Sequence, residues 1–326
     1  MKLSIIVPVY NVADYLAKCL DSLILQDLPQ NDYEIIVVND GSTDNSGEIA
    51  KQYADKYSNI ILINQENQGL SGARNTGIAN ARGEYVQFVD SDDYLEENVL
   101  GGLLKLVEDN NLDVLRFNYE NVNELGEIIY PNKDPKHFVN FSDDVVDGLT
   151  FLNKRLGPAC YAVQFIIKRA LLLEKNILFK SGIYFEDTEW TPRMLLNASR
   201  VASVETVIYY YYVREGSITK AVNRDKQRKV LEDKISLIKS MKLQLEFYPD
   251  AIWYKAMIAG TTLSSINYIA TYFYEEQKYY LSKIKELNIY PLSYYQSTKS
   301  VKRKLQLINL SPILYCWMIY IKNYRK

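Results

Sequence analysis

Cysteine is scarce in this chain: Cys19, Cys160 and Cys316 stand far apart, with no C-x-x-C pair. That argues against a disulfide framework and a cysteine metal site, and it suits a reducing compartment such as the cytoplasm. No run of about 18 apolar residues occurs, so no membrane-spanning helix is expected. The apolar stretch that follows Met1-Lys2 is too short for a signal peptide. The net charge is only −2, which gives no reason to expect bulk nucleic-acid binding. Both G-x-x-x-x-G-K-[ST] and G-x-G-x-x-G are missing, which disfavours ATP hydrolysis and dinucleotide binding. The one histidine, His137, lies in a polar stretch of Lys and Asp and reads as a solvated loop residue.

Of the 326 residues, 48% are apolar and 24% charged, the balance of a soluble globular protein with room for a sizeable core. Apolar, β-branched runs at Leu3–Val9, Glu34–Asn39, Ile60–Ile63 and Tyr85–Val89 read as buried strands. Helical patterns lie between them. Asn11 is placed to cap the first, and Asn45 with Glu48 to form a capping box on the second. A third, from Leu70, is rich in small residues that allow close packing on a sheet. Strands alternating with helices every 25–30 residues predict an α/β fold with a doubly wound, mainly parallel sheet.

The fourth strand runs straight into Asp90, Asp92 and Asp93. Three acids in four positions at a strand end repel one another unless a cation lies among them. Hard oxygen ligands favour Mg²⁺ or Mn²⁺ over Zn²⁺. The plainer alternative has Asp92 or Asp93 capping a helix that begins at Tyr94. In a parallel sheet every strand delivers its C-terminal residues to one edge, where such folds bind ligands. Tyr10-Asn11, Asp40-Gly41-Ser42, Gln68–Asn75 and Asp90–Asp93 are therefore expected to meet in one crevice.

Ile6–Asn11, Val38–Asp44, Asn67–Asn75 and Phe88–Asp93 together resemble the ordered signature of the family 2 glycosyltransferases, over about residues 1–215. The resemblance implies an A-type nucleotide-sugar-binding fold (GT-A, the nucleotide-diphospho-sugar transferase type) and inversion at the anomeric carbon. It implies that Pro8, Tyr10 and Asp40 line the nucleoside site, with Asp40 on the base or ribose, and that Arg74 lies near the diphosphate. It also makes Asp90 and Asp92 the D-x-D pair, Asp90 toward ribose and metal and Asp92 toward the metal, Mn²⁺ or Mg²⁺.

A second acidic cluster, Glu186, Asp187 and Glu189, lies among aromatic residues. Sugar transfer with inversion needs a carboxylate to take the proton of the attacking hydroxyl. Aromatic surroundings raise a carboxylate's proton affinity. A simple helix N-terminus accounts for the same spacing, but the Glu-Asp pair resembles the family's base motif. That makes Asp187 the base and Glu186 its orienting neighbour or an acceptor contact. Arg214, Ser217 and Lys220 resemble the family segment that folds over the donor.

From Asp225 the pattern turns helical. Residues 1–220 are assigned as a catalytic domain (1–95 the nucleotide half, 96–220 the acceptor half) and 221–326 as a helical extension. After Thr298 there are seven Lys/Arg and no acid, around an apolar, aromatic segment that Pro312 breaks or starts. Such a segment suits a helix lying on an anionic membrane surface; a docked helix or a dimer contact is the alternative. The sequence thus predicts a metal-dependent transferase of nucleotide-linked (UDP) sugars. Its acceptor is a glycan or lipid-linked hydroxyl, and its place is the cytoplasmic face of the cell membrane, in polysaccharide assembly for the cell envelope. Two rivals are weighed. A sugar-phosphate nucleotidyltransferase would carry a Gly-rich basic loop after the first strand, and Val7–Asn11 is not one. A catalytically inactive nucleotide-sugar-binding or scaffold protein would have no need of Asp90, Asp92 and Asp187.

Overall fold

The computed structural model describes residues 1–129, 144–157, 160–213, 223–295 and 297–324. The chain divides into two compact units, Met1–Gly182 with Glu186–Glu215, and Ile183–Phe185 with Gly216–Lys326.

The first unit is built on an eight-stranded sheet: β1 (Leu3–Val9), β2 (Tyr33–Asp40), β3 (Ile60–Gln65), β4 (Tyr85–Phe88), β5 (Tyr94–Leu95), β6 (Val114–Val122), β7 (Phe165–Lys168) and β8 (Val201–Tyr212). Its strand order is β3-β2-β1-β4-β7-β6-β8-β5. The β3-β2-β1-β4 half is wholly parallel, as the apolar runs predict. Every residue of β1 and β4 is buried, which requires cover on both faces of the sheet. Beyond β4 the sheet is mixed. β7 runs antiparallel to both β4 and β6, whereas β6 and β8 are parallel.

Helices α1 (Ala13–Ile24), α2 (Ser46–Lys56), α3 (Gly69–Asn80), α4 (Leu100–Asp109), α5 (Gly148–Lys154), α6 (Arg169–Glu174) and α7 (Glu186–Leu196) complete this unit. α3 packs close to the sheet, as its small residues predict. A Cβ on Gly77 would come within 2.2 Å of Ile6 Cγ2.

Three local expectations are corrected. Val12, not Asn11, precedes the first turn of α1. Asn11 instead takes φ 51 and accepts from Thr43 N–H at 2.8 Å, joining the ends of β1 and β2. Asn45 makes no side-chain cap on α2; Asp44 Oδ1 accepts from Ser46 N–H at 3.0 Å, so the neighbouring carboxylate takes the orphan donor. No helix starts at Tyr94, which enters β5 and pairs with Tyr210.

The second unit is helical: α8 (Arg224–Phe247), α9 (Ile252–Tyr272), α10 (Gln277–Glu286), α11 (Lys299–Leu310) and α12 (Pro312–Tyr324). Trp253, Tyr254, Ile266 and Ile269 bury α9 at its centre. Pro312 occupies the first position of α12, where its missing N–H costs no hydrogen bond. Among the described residues no helix is long and apolar enough to cross a membrane.

Candidate active site

Because β1, β2, β3 and β4 are parallel, their C-terminal ends share one edge, and the polar residues that follow them are tied together there. Asp40, buried at the end of β2, accepts from Gln65 Nε2 at 2.7 Å and from Gln68 N–H at 2.8 Å. This fastens the start of α3 to the second strand. Pro8 is buried within β1, while Tyr10, just past its end, is 48% exposed.

Arg74, on α3, is the centre of the edge. Its side chain is 1% exposed. Nη2 donates to Asp90 Oδ1 at 2.8 Å; Nη1 donates to Asp187 Oδ1 at 2.8 Å and to Glu186 Oε1 at 3.2 Å. One guanidinium therefore holds carboxylates from both acidic clusters, which are far apart in sequence. The three carboxylates raise Arg74's pKa far beyond the cost of its burial. The resemblance places Arg74 at the diphosphate; in the structure its charge is committed to acidic side chains.

Aromatic packing positions this arginine and α7 together. The Phe179 and Trp190 rings stack at 4.2 Å, Phe88 meets both edge-on, and the Arg74 guanidinium lies 5.2 Å from the Phe179 ring centre. The neighbouring Asn75 exchanges two hydrogen bonds with the Phe179 backbone, at 2.8 and 2.9 Å. The Arg74 and Asn75 contacts join α3 to Phe179, about a hundred residues on, and the aromatic rings carry that join to β4 and α7.

α7 begins at Glu186, so both Glu186 and Asp187 sit in its first turn, where the helix dipole favours negative charge. Asp187 Oδ2 accepts from Ala162 N–H at 3.1 Å. The Asp187 carboxyl is pushed up to about 7 in all: burial raises it most, Arg74 pulls it down, and Glu186 and Asp90 add to the rise. A carboxylate with that proton affinity suits proton abstraction near neutral pH. Glu189, the third acid, is paired with Arg193 one turn on and is spent on the helix itself.

At the end of β4 the three aspartates separate by environment. Asp93 is buried, accepts from Tyr209 hydroxyl and, at 2.8 Å, from Tyr212 N–H. Burial, then Asp92 and Asp90, raise its proton affinity well above the usual carboxylate range. Tyr209 hydroxyl also accepts from Asp90 N–H at 3.2 Å, so β8 clamps the turn. Asp90 and Asp92 stay partly open to solvent. Among the described residues, no group of three or more Asp, Glu, His or Cys side chains is arranged to enclose a metal. Asp90, one of whose oxygens is taken by Arg74, and Asp92 are the partly exposed carboxylates here that could meet a hard divalent ion, whose remaining ligands would have to be phosphate oxygens and water.

Arg214, Ser217, Lys220 and His137 lie outside the described residues. Sequence reasoning missed two contributors, the Ala162 N–H on Asp187 and the Tyr209–Asp93 clamp, and also a buried charge with no described contact to the site, Arg116. The last is a buried guanidinium on β6 whose one described hydrogen bond is to Gln164 Oε1 at 3.3 Å. No local pattern marks any of them; the aromatic run Val207–Val213 reads as packing, and only strand pairing brings Tyr209 to Asp93.

The chain matches glycosyl transferase family 2 over residues 4–165. It is 33% identical over 225 residues to glycosyltransferase GlyG of Streptococcus pneumoniae, a match that covers 66% of this chain and 72% of GlyG. To glycosyltransferase GlyA of the same organism it is 35% identical over 251 residues, 75% of this chain. The chain spans only 36% of GlyA's own length. It therefore belongs to glycosyl transferase family 2. The fold is that of Staphylococcus aureus TarS 1–349, solved with UDP-GlcNAc, with a TM-score of 0.75 at 23% identity over 100% of this chain and 92% of that one.

Proposed function

We propose that this chain is an inverting glycosyltransferase that moves a sugar from a UDP-linked donor to a hydroxyl of a glycan or lipid-linked acceptor. The observation that carries the reading is the shared guanidinium: Arg74 bonds Asp187 and Asp90 at 2.8 Å each, so base and donor carboxylates lie on opposite nitrogens of one cation. TarS, which has the same fold, is solved with UDP-GlcNAc, and this supports a UDP donor.

In this reading Asp187 takes the acceptor hydroxyl's proton as that oxygen attacks the anomeric carbon from the face opposite the diphosphate. Glu186, on the same Arg74 nitrogen, holds the base in register and adds negative charge that keeps its proton affinity high. Pro8, Tyr10 and Asp40 line the nucleoside side of the crevice. Asp90 and Asp92 would hold the divalent ion, Mn²⁺ or Mg²⁺, which when bound supplies charge neutralisation for the departing diphosphate. Arg214 is assigned to the donor side on the resemblance alone. Residues 1–220 form the catalytic domain and 221–326 a helical extension. We place the protein at the cytoplasmic face of a cell membrane, in polysaccharide assembly for the envelope, through residues 299–326.

Calorimetric titration with UDP and UDP-sugars, with and without Mn²⁺, tests the donor assignment, and proton NMR of the product tests inversion. Metal-dependent binding of a UDP-sugar, with transfer that yields the opposite anomer, is expected. Binding without turnover on any acceptor panel would favour the inactive, scaffold-type alternative.

A further inference from the structure

We infer that α11 and α12 form one docking surface for an anionic lipid leaflet, α11 supplying a basic stripe and α12 an apolar one. The inference rests on the membrane placement proposed above and names the surface and the lipid class that placement needs.

α12 is seated on α9 by half of its circumference. Tyr315 and Cys316 are buried, and Tyr315 hydroxyl donates to Asn267 Oδ1 at 3.0 Å. Asn323 Nδ2 donates to Thr271 Oγ1 at 3.0 Å, and the Tyr320 and Tyr274 rings stack at 3.7 Å. Helical geometry then turns Ile313, Leu314, Trp317, Met318 and Ile321 to the other side, because they recur at three- and four-residue steps. Ile313 is 57% exposed and Trp317 48%, and Leu310, at the end of α11, reaches 83%. Single exposed apolar residues are ordinary; four along one face of a helix, Ile313, Leu314, Trp317 and Met318, with Ile321 half-buried beside them, mark an interaction surface.

On α11, Leu305 and Ile308 face inward, and Lys299, Arg303, Gln306 and Leu310 run along the exposed side. Lys302 and Lys304 flank that row, and Lys322 extends the charge to α12. None of these basic side chains forms an ion pair among the described residues. No Asp or Glu occurs from Lys299 to Lys326.

Charge chooses the occupant. A second copy meeting this surface face to face would set basic stripe against basic stripe, and like charges so placed are repulsive. A leaflet with anionic headgroups satisfies both stripes at once: phosphates meet the lysines while the apolar row enters the acyl boundary. Trp317, 48% exposed, brings to that surface an amphipathic ring of the kind membrane interfaces favour. The 13 residues of α12, about 20 Å long, lie along such a surface and do not cross it.

The test is co-sedimentation of the full chain with phosphatidylcholine vesicles, alone or mixed with phosphatidylglycerol. Binding to the mixed vesicles that weakens with salt is expected, with little binding to phosphatidylcholine. Lys302→Gln with Arg303→Gln should weaken binding about fivefold per residue. Leu314→Glu with Trp317→Glu should weaken it by at least about tenfold. Trp317→Ser alone, a milder change at an exposed position, should fall between wild type and that double variant. Transfer to a water-soluble acceptor should stay unchanged in all of them. Wild-type protein that ignores anionic vesicles overturns the membrane placement as a whole. Variants that bind as wild type does overturn this surface and leave the placement standing. A dimer that Trp317→Ser dissociates, with no vesicle binding, would assign the surface to a second copy. Loss of sugar transfer with vesicle binding intact would count against the catalytic reading only.

Discussion

Arg74 on α3 and Arg116 on β6 are buried to nearly the same degree, 1% and 3% exposed, in opposite surroundings. Around Arg74 three carboxylates compensate the lost hydration, and its proton affinity rises. Arg116 has a glutamine oxygen and, among the described residues, no partner for Nε or Nη1; burial lowers its pKa to about 10. A guanidinium is costly to bury, and the cost is recovered only where the geometry and the counter-charges are complete. Nε lacks a partner in both among the described residues, so the contrast is one of counter-charge: the sheet edge at Arg74 balances its cation with three carboxylates. The region of Arg116 carries a positive charge that the described residues leave uncompensated.

The sharpest way to break that comparison is to remove each arginine in turn. Arg74→Met leaves three carboxylates facing one another and should cost about 3–5 kcal/mol of stability, read by urea denaturation, together with nearly all activity. A loss below about 1 kcal/mol would mean that solvent, not Arg74, manages those charges. Asp187→Asn keeps the shape of the cluster and removes the base; transfer should drop by about 10²–10⁴-fold while UDP-sugar affinity stays within a few-fold. If donor binding falls with it, Asp187 belongs to the donor site instead.

Asp92→Ala should weaken metal-dependent donor binding at least about tenfold, the cost of losing even an outer-shell metal partner, with binding in chelator unchanged. Equal affinity with and without Mn²⁺ in wild type and variant would remove the metal from Asp92. pH separates the two roles of the Asp187 carboxyl. Its pKa is about 7 in the folded protein against an ordinary 3.8. Between those values the native state holds the extra proton, so this group's contribution to stability is complete below about 4 and is lost as pH rises through 7. Activity needs the proton gone and should rise over the same limb, with an apparent pKa near 7. A rate that is flat from about pH 6 to 8 would contradict the assignment.

The smallest effect is expected at Arg116. Arg116→Met should change stability by less than about 1 kcal/mol, or raise it, because an apolar chain of similar length replaces an uncompensated charge. A large loss of stability would show that the charge is neutralised after all. Unchanged stability with a weakened KM for the acceptor would give it a substrate to bind.

Much of this was readable in advance. The first four strands, the helices between them and the convergence of their polar ends followed from runs of Ile, Val and Phe broken by Asp, Asn and Gly. Those patterns are local, and parallel strands with buried faces leave few other arrangements. The antiparallel insertion of β7 between β4 and β6 was not legible, because a short apolar run carries no direction. Asn11 was read as a helix cap from its neighbours in sequence, yet its side chain answers to Thr43, 32 residues away.

The sequence by itself determined which residues have carboxylates and where strands end, and so which chemistry the crevice can hold. It also determined that basic and apolar residues share the stretch from Lys299 to Lys326. Only the tertiary structure decided that Arg74 spends its charge on Asp90, Glu186 and Asp187. The structure likewise showed that β8 clamps Asp93 through Tyr209 and that α12 turns Trp317 outward. The physical reason is common to all three. Chain patterning sets what a residue can offer, whereas a charge, a hydroxyl or a ring meets its partner only when distant segments pack and exclude water between them.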